Sequence, residues 1–189
     1  MRGRCGRGGA FALVMAVCVL TGALSARASG QADRLDTLTR AFAAFDARDM
    51  TGRRWTAADL RGRVVVVDVW ATWCPPCWRE IPWLRRIHER FDPARVQVIG
   101  ISLDVTDRRQ LVSWLNRHRV AWPQIREPGG YDGPMAEQFG VGALPMSLLI
   151  DPDGRVVAID LRGARLVTAV EALLAQDQSG LAHASTDDE

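Results

Sequence analysis

The sequence predicts an α/β domain, a central mixed β-sheet flanked by helices. Three observations carry this expectation. The run Val64-Val65-Val66-Val67-Asp68-Val69-Trp70 is apolar at nearly every position, as in a strand buried on both faces. Strand-like and helix-like segments follow one another as βαβαβ and then ββα, an order that gives a mixed sheet with helices on both sides. Apolar residues make up 48% of the 189, ample for one packed core in a chain of about one domain's length.

Taken in order, Leu35, Leu38, Phe42 and Phe45 recur at helical spacing and predict an amphipathic lead-in helix. Gly52 to Asp59 reads as a turn and short edge strand, and Val64 to Trp70 as the first buried strand. Pro75 to Phe91 reads as a helix whose first turn tolerates proline because its N–H groups have no intrahelical partner. Val96 to Ile101 is a second buried strand. Thr106 to His118 is a helix with Leu111, Trp114, Leu115 and His118 along one stripe. An extended piece from Ala121 to Ile125 leads past Gly129-Gly130 to a small helix near Met135 to Phe139. Pro145 to Ile150 and Val156 to Leu161 are strands about a Pro152-Asp153-Gly154 turn, and Leu166, Val170, Leu173 and Leu174 mark a closing helix. The polar stretch 177–189, ending Asp187-Asp188-Glu189, reads as a disordered acidic tail. The domain proper is therefore expected at 45–176, with 29–44 as its helical lead-in.

Residues 1–28 read as an address. Arg2, Arg4 and Arg7 precede an apolar stretch from Ala10 to about Leu24 and then Ala26-Arg27-Ala28, the three regions of a secretory signal peptide. An uncleaved anchor from about Gly9 to Ala28 is the alternative, and either sends the domain across a membrane. No later stretch approaches the ~20 apolar residues of a bilayer span, which excludes a polytopic membrane protein. A formal charge of +2 excludes a strongly basic nucleic-acid binder, so no nucleic acid is expected as a partner. Removal of 1–28, with four arginines and no acid, turns that charge to −2. All 24 basic residues are arginine, which excludes a lysine Schiff base.

Cys5 and Cys18 lie in the leader, leaving Cys74 and Cys77. One closely spaced pair is no disulfide scaffold, and so short a loop constrains little of the unfolded chain. Its use is chemical. In Trp73-Cys74-Pro75-Pro76-Cys77 the first thiol falls at a helix N-terminus, where free N–H groups and the dipole favour the thiolate. Cys74 is thus the expected nucleophile, and Cys77, one turn further on, the thiol that resolves a mixed disulfide. A zinc half-site is the competing reading. Zinc takes four N or S ligands, and beyond the leader there are two cysteines and three scattered histidines. Neither metal nor cofactor is expected.

The stretch Val67-Asp68-Val69-Trp70-Ala71-Thr72-Trp73-Cys74-Pro75-Pro76-Cys77-Trp78-Arg79-Glu80-Ile81-Pro82 resembles a thioredoxin-fold protein. More narrowly, the chain is similar to the membrane-side TlpA/ResA/CcmG-like thiol–disulfide oxidoreductases over roughly Phe45 to Gln176. Asp59-Leu60-Arg61-Gly62, Val98-Ile99-Gly100-Ile101-Ser102-Leu103-Asp104 and Leu144-Pro145-Met146-Ser147-Leu148-Leu149-Ile150-Asp151 support the match. The resemblance implies a thioredoxin fold in which Thr106 to Gln124 supplies a TlpA-like inserted helix and strand. It makes Pro145 the cis-proline whose loop, with Leu144, faces the disulfide and pairs with substrate backbone. Trp73 and its neighbouring tryptophans would offer an apolar docking surface or serve as packing, the latter favoured for Trp70.

Asp68 stands in an otherwise apolar run, so desolvation should make it hard to ionise. By resemblance it would accept the proton of Cys77; the plainer reading is an aspartate hydrogen-bonded at the strand end. Glu80 lies one helical turn beyond Cys77 on the same face. By resemblance it lines the substrate groove and influences thiol acidity; the plainer reading pairs it with Arg79 or Arg85. Pro82 falls where the family kinks its active-site helix.

Pro75-Pro76 supplies no charge and removes two N–H donors near the sulfur, which favours the disulfide form and hence a reductant. The family reduces cysteine pairs in envelope proteins such as apocytochrome c, and draws electrons from a membrane thiol transporter of the DsbD/CcdA type. The competing functions are a disulfide-forming oxidase, a peroxiredoxin-type peroxidase, whose Pro-x-x-x-Thr-x-x-Cys loop is absent, and a Sco-like copper chaperone, which needs a C-x-x-x-C pair. A binding module that uses the groove without chemistry is the last.

Overall fold

The computed structural model describes residues 30–184. The expected leader at 1–28 and residues 185–189 fall outside the described residues. Helix α1 covers residues 30–43 and turns Leu38 and Phe42 inward. It is followed by an antiparallel ribbon of β1 (Asp46–Arg48) and β2 (Arg54–Thr56), so the segment expected as one edge strand is half of a separate two-stranded sheet.

Five strands make the main sheet: β3 (Val64–Trp70), β4 (Val96–Ser102), β5 (Gln124–Arg126), β6 (Met146–Ile150) and β7 (Val156–Ile159). Their order is β5-β4-β3-β6-β7. β3 pairs parallel with β4 and β4 with β5, whereas β6 is antiparallel to both β3 and β7. The sheet is thus mixed, with β3 at its centre and buried at all seven positions.

The expected helix from Pro75 to Phe91 is two: α2 (Pro75–Trp78) and α3 (Ile81–Arg90). The division follows from Pro82, which has no N–H to continue the ladder and is tolerated only in the first turn of a new helix. Helix α4 (Arg108–Arg117) begins where the Asp107 carboxylate accepts the Arg109 N–H at 2.6 Å. Helix α5 (Pro134–Gln138) is short, and α6 (Gly163–Ala184) is long. Over 177–184 this helix replaces the expected disordered tail, whose remainder lies outside the described residues. No proline interrupts that stretch, and Asp177 lies 3.6 Å from Arg95 at the foot of β4.

Two apolar layers sandwich the sheet. Val65, Val67 and Val69 face Leu38 and Phe42 of α1, whereas Val64 and Val66 face Leu84 and Ile87 of α3 and Leu166 and Val170 of α6. The period of two therefore aims Asp68 and Trp70 to the side of the active-site helix. Phe42 is 1% exposed and stacks on Phe45 at 5.8 Å. Phe42→Ala is expected to lower the unfolding free energy by about 3–5 kcal/mol in urea titrations followed by tryptophan fluorescence, with the slope unchanged.

Candidate active site

The redox pair sits where β3 gives way to α2. Cys74 caps α2 in an extended conformation, and its Sγ accepts the Cys77 N–H at 3.3 Å. The two cysteines are joined as a disulfide, their Cα atoms 5.4 Å apart. Pro75 and Pro76 fill the first helical positions, so no N–H comes from either. Both sulfurs belong to a small apolar cluster with Trp70, Leu111 and Leu115, against which Trp114 and Leu144 also pack. That cluster brings α4 and the proline loop to the disulfide.

The loop in front of Cys74 is held by Asp104, which is wholly buried at the end of β4. Its carboxylate accepts the Thr72 N–H at 2.9 Å, the Thr72 hydroxyl at 2.5 Å and the Ser102 hydroxyl at 2.7 Å. Trp78 closes the same loop by donating from Nε1 to the Thr72 carbonyl at 3.0 Å. Trp70 is buried and donates to Gln124 Oε1 at 2.9 Å. Gly100 makes room for that amide, since a Cβ there would lie 2.2 Å from Gln124 Oε1. Trp73 is exposed and rests against Tyr131, ring centroids 6.2 Å apart.

The Leu144–Pro145 peptide bond is cis. Arg162 braces this loop from behind, donating to the Pro145 carbonyl, to Ser147 Oγ at 2.8 Å and to the Leu161 carbonyl at 3.0 Å. Ser147 lies directly opposite Asp68 in the β3–β6 register. Burial pushes the Asp68 carboxyl up to about 7, the charge of Arg162 pulls it back, and the charge of Glu80 adds to the rise. The direction of that shift is the one expected of a carboxyl desolvated in an apolar strand.

Among the described residues no ion pair joins Glu80 to Arg79 or Arg85. Glu80 sits at the joint between α2 and α3, and its Oε2 accepts the Gly163 N–H at 2.8 Å, one of the free donors opening α6. Arg85 donates instead to the carbonyls of His118 and Arg119. The structure therefore gathers Cys74, Cys77, Leu144 and Pro145 at one end of the sheet, with Asp68 and Glu80 sharing a field beneath. Trp73 stands at the outer edge. Sequence reasoning missed Arg162, the lock of Asp104 on Thr72, and the Trp70–Gln124 bond. Asp104 alone left a signal, a single acid directly after an apolar strand. Among the described residues no group of three or more His, Cys, Asp or Glu side chains could hold a metal ion.

The raised Asp68 carboxyl makes stability depend on pH. In the unfolded chain the group ionises near 3.8, in the folded protein only near 7. Through that window the unfolded state holds fewer protons, so stability falls as pH rises from about 4 to about 7 and levels above it. Asp68→Asn should abolish this slope. Denaturation of the oxidised protein should find the variant roughly 2–4 kcal/mol more stable than the wild type at pH 8 and little different at pH 4. Parallel curves for the two proteins would refute the assignment.

Comparison with known proteins follows the same lines. The model of the AhpC/TSA family matches residues 38–159. Over 113 residues the chain is 32% identical to the thiol-disulfide oxidoreductase ResA of Bacillus thuringiensis (strain Al Hakam), a match covering 60% of this chain. The chain spans 63% of the length of that curated relative. Among solved structures it is similar to a thiol-disulfide oxidoreductase from Bacteroides fragilis, with a TM-score of 0.62, 25% identity, and 68% of this chain and 96% of that one covered. The thioredoxin domain of a thiol-disulfide oxidoreductase from Bacteroides vulgatus gives a TM-score of 0.61 at 26% identity, covering 68% of this chain and 91% of that one. The fold is thus thioredoxin-like. Because the family match runs from α1 to the last residue of β7, through every strand of the main sheet, the chain belongs to the AhpC/TSA family.

Proposed function

We propose that this protein is an exported thiol–disulfide oxidoreductase that reduces disulfides in envelope proteins. One observation carries the reading: a Cys74–Cys77 pair at the start of α2 packs with the residue before a cis-proline and has a poorly acidic buried carboxyl on the strand leading to it. In the working direction the Cys74 thiolate attacks a substrate disulfide. The substrate S–S bond breaks, a mixed disulfide forms on Cys74, and the departing substrate sulfur takes up a proton. Cys77 then gives its proton to the Asp68 carboxylate and attacks Cys74 Sγ, which closes the Cys74–Cys77 bond and frees the second substrate thiol. Two electrons pass to the substrate.

Pro145, Leu144 and Trp73 would receive the extended substrate chain around its cysteine, and Glu80 would tune the acidity of the pair through its effect on Asp68. The reducing direction is supported by how modest the help to a Cys74 thiolate is, despite its place at a helix N-terminus. Two prolines donate nothing, α2 is only four residues long, and the hydrogen bond at Sγ comes from the Cys77 N–H. Such a pair favours its disulfide and so reduces others.

Export is proposed on the leader-like pattern at 1–28, with the domain periplasmic or anchored facing the periplasm. Among the described residues no helix is long and apolar enough to cross a membrane. Regeneration of the dithiol in that compartment needs a membrane donor of the DsbD/CcdA type, and cysteine pairs of apocytochrome c are the proposed substrates.

The reduction potential of the 29–189 fragment in dithiothreitol buffers, read by tryptophan fluorescence, tests the reading. A value at or below about −230 mV is expected, and one near about −120 mV would make the protein a disulfide-forming oxidase instead. Cys74→Ser is expected to abolish turnover of protein disulfides, while Cys77→Ser accumulates the mixed disulfide.

A further inference from the structure

Five large apolar side chains are exposed among the described residues, and four of them, Trp73, Trp78, Val105 and Tyr131, lie on the loops beside the disulfide or pack on those loops. Trp73 adjoins Cys74 and rests on Tyr131, Val105 reaches the backbone beside Tyr131, and Trp78 ties to the same loop as Trp73. On the α4 side this apolar group meets arginine. Residues 108–119 contain four arginines and no acid. A cleft of about 490 Å³ between Thr72 and α4 is bordered by Arg109 and Arg117. A second, on the far side of Trp78 and Trp114, is bordered by Arg85, Arg117 and Arg119. No carboxylate lines either cleft, and among the described residues no ion pair joins Arg85, Arg109, Arg117 or Arg119 to one.

We propose that this face receives an acidic, extended polypeptide segment, apolar next to its own cysteine and carrying Asp or Glu on the side that lies along α4. The inference rests on the reductase reading and names the substrate class for it. Tryptophan, tyrosine and arginine are the residue types that dominate binding energy at protein interfaces, and here they share one rim. Uncompensated positive charge beside a reactive sulfur speeds encounter with a negative partner and rejects a positive one. An anionic bilayer would satisfy the charge too, but lying flat on Trp73 and Trp78 it would cover the disulfide.

The test uses two peptides with the same disulfide-closed Cys-x-x-Cys core, one flanked by Asp and Glu and one by Arg. Their second-order rates of reduction are compared in the wild type, in Arg109→Glu/Arg117→Glu and in Arg155→Glu, which changes an exposed charge on the β6–β7 turn. At an ionic strength of about 20 mM the wild type should reduce the acidic peptide about tenfold faster or more, and the ratio should approach one at about 500 mM. The double variant should lose the preference and Arg155→Glu should keep it. Equal rates for the two peptides in the wild type, with 2-hydroxyethyl disulfide still reduced, would overturn the docking proposal alone. So would a preference that survives in the double variant. Equal rates together with arginine-dependent sedimentation on phosphatidylglycerol vesicles would assign the patch to a membrane. Failure to reduce any disulfide would overturn the reductase reading and this proposal with it.

Discussion

A carboxyl group in the central strand of a five-stranded sheet is the constraint on which the reactive end depends. Asp68 follows Val64 and Val66 on the side of the sheet covered by α3 and α6, in a layer otherwise built from apolar contacts. A charge there is costly, so the group remains protonated to about 7. On the proposed mechanism this raised proton affinity is what lets Asp68 receive the proton of Cys77. The cost of keeping such a group falls on stability, which is why its contribution runs opposite to that of a paired surface carboxylate.

Around it, each piece of the site is tied to a different element. The loop before Cys74 hangs on Asp104 at the end of β4, the proline loop on Arg162 before α6, and the joint between α2 and α3 on the first N–H of α6 through Glu80. Arg162 and Gly163 are consecutive, so one short segment touches both the proline loop and the active-site helix. Arg162 also opposes the rise in the Asp68 carboxyl that Glu80 reinforces. The field at Asp68 is therefore set by the same residues that hold the two halves of the site in register.

Much of this was legible in the sequence because it is local. The β-branched run fixed β3 almost to the residue and Cys-Pro-Pro-Cys fixed the helix start, whereas the loop at Leu144-Pro145 was reached through the family resemblance. The solitary acid in an apolar strand was enough to foresee a depressed acidity. What stayed hidden joins residues far apart in the chain. Glu80 and Gly163 are 83 positions apart, Trp70 and Gln124 are 54, and Thr72 and Asp104 are 32. Helical spacing offered Glu80 a nearby arginine, yet the unsatisfied N–H at the opening of α6 claimed it. The break between α2 and α3 was foreseen only as a kink, because a proline's position in a pattern does not say whether the ladder bends or restarts.

The most direct test is the titration of the Asp68 carboxyl carbon by NMR in the oxidised protein, where neither Cys74 nor Cys77 ionises. A midpoint of about 7 is predicted. A midpoint near 4, as for an exposed aspartate, would contradict the account, because so weak a base would be a poor acceptor for a thiol proton.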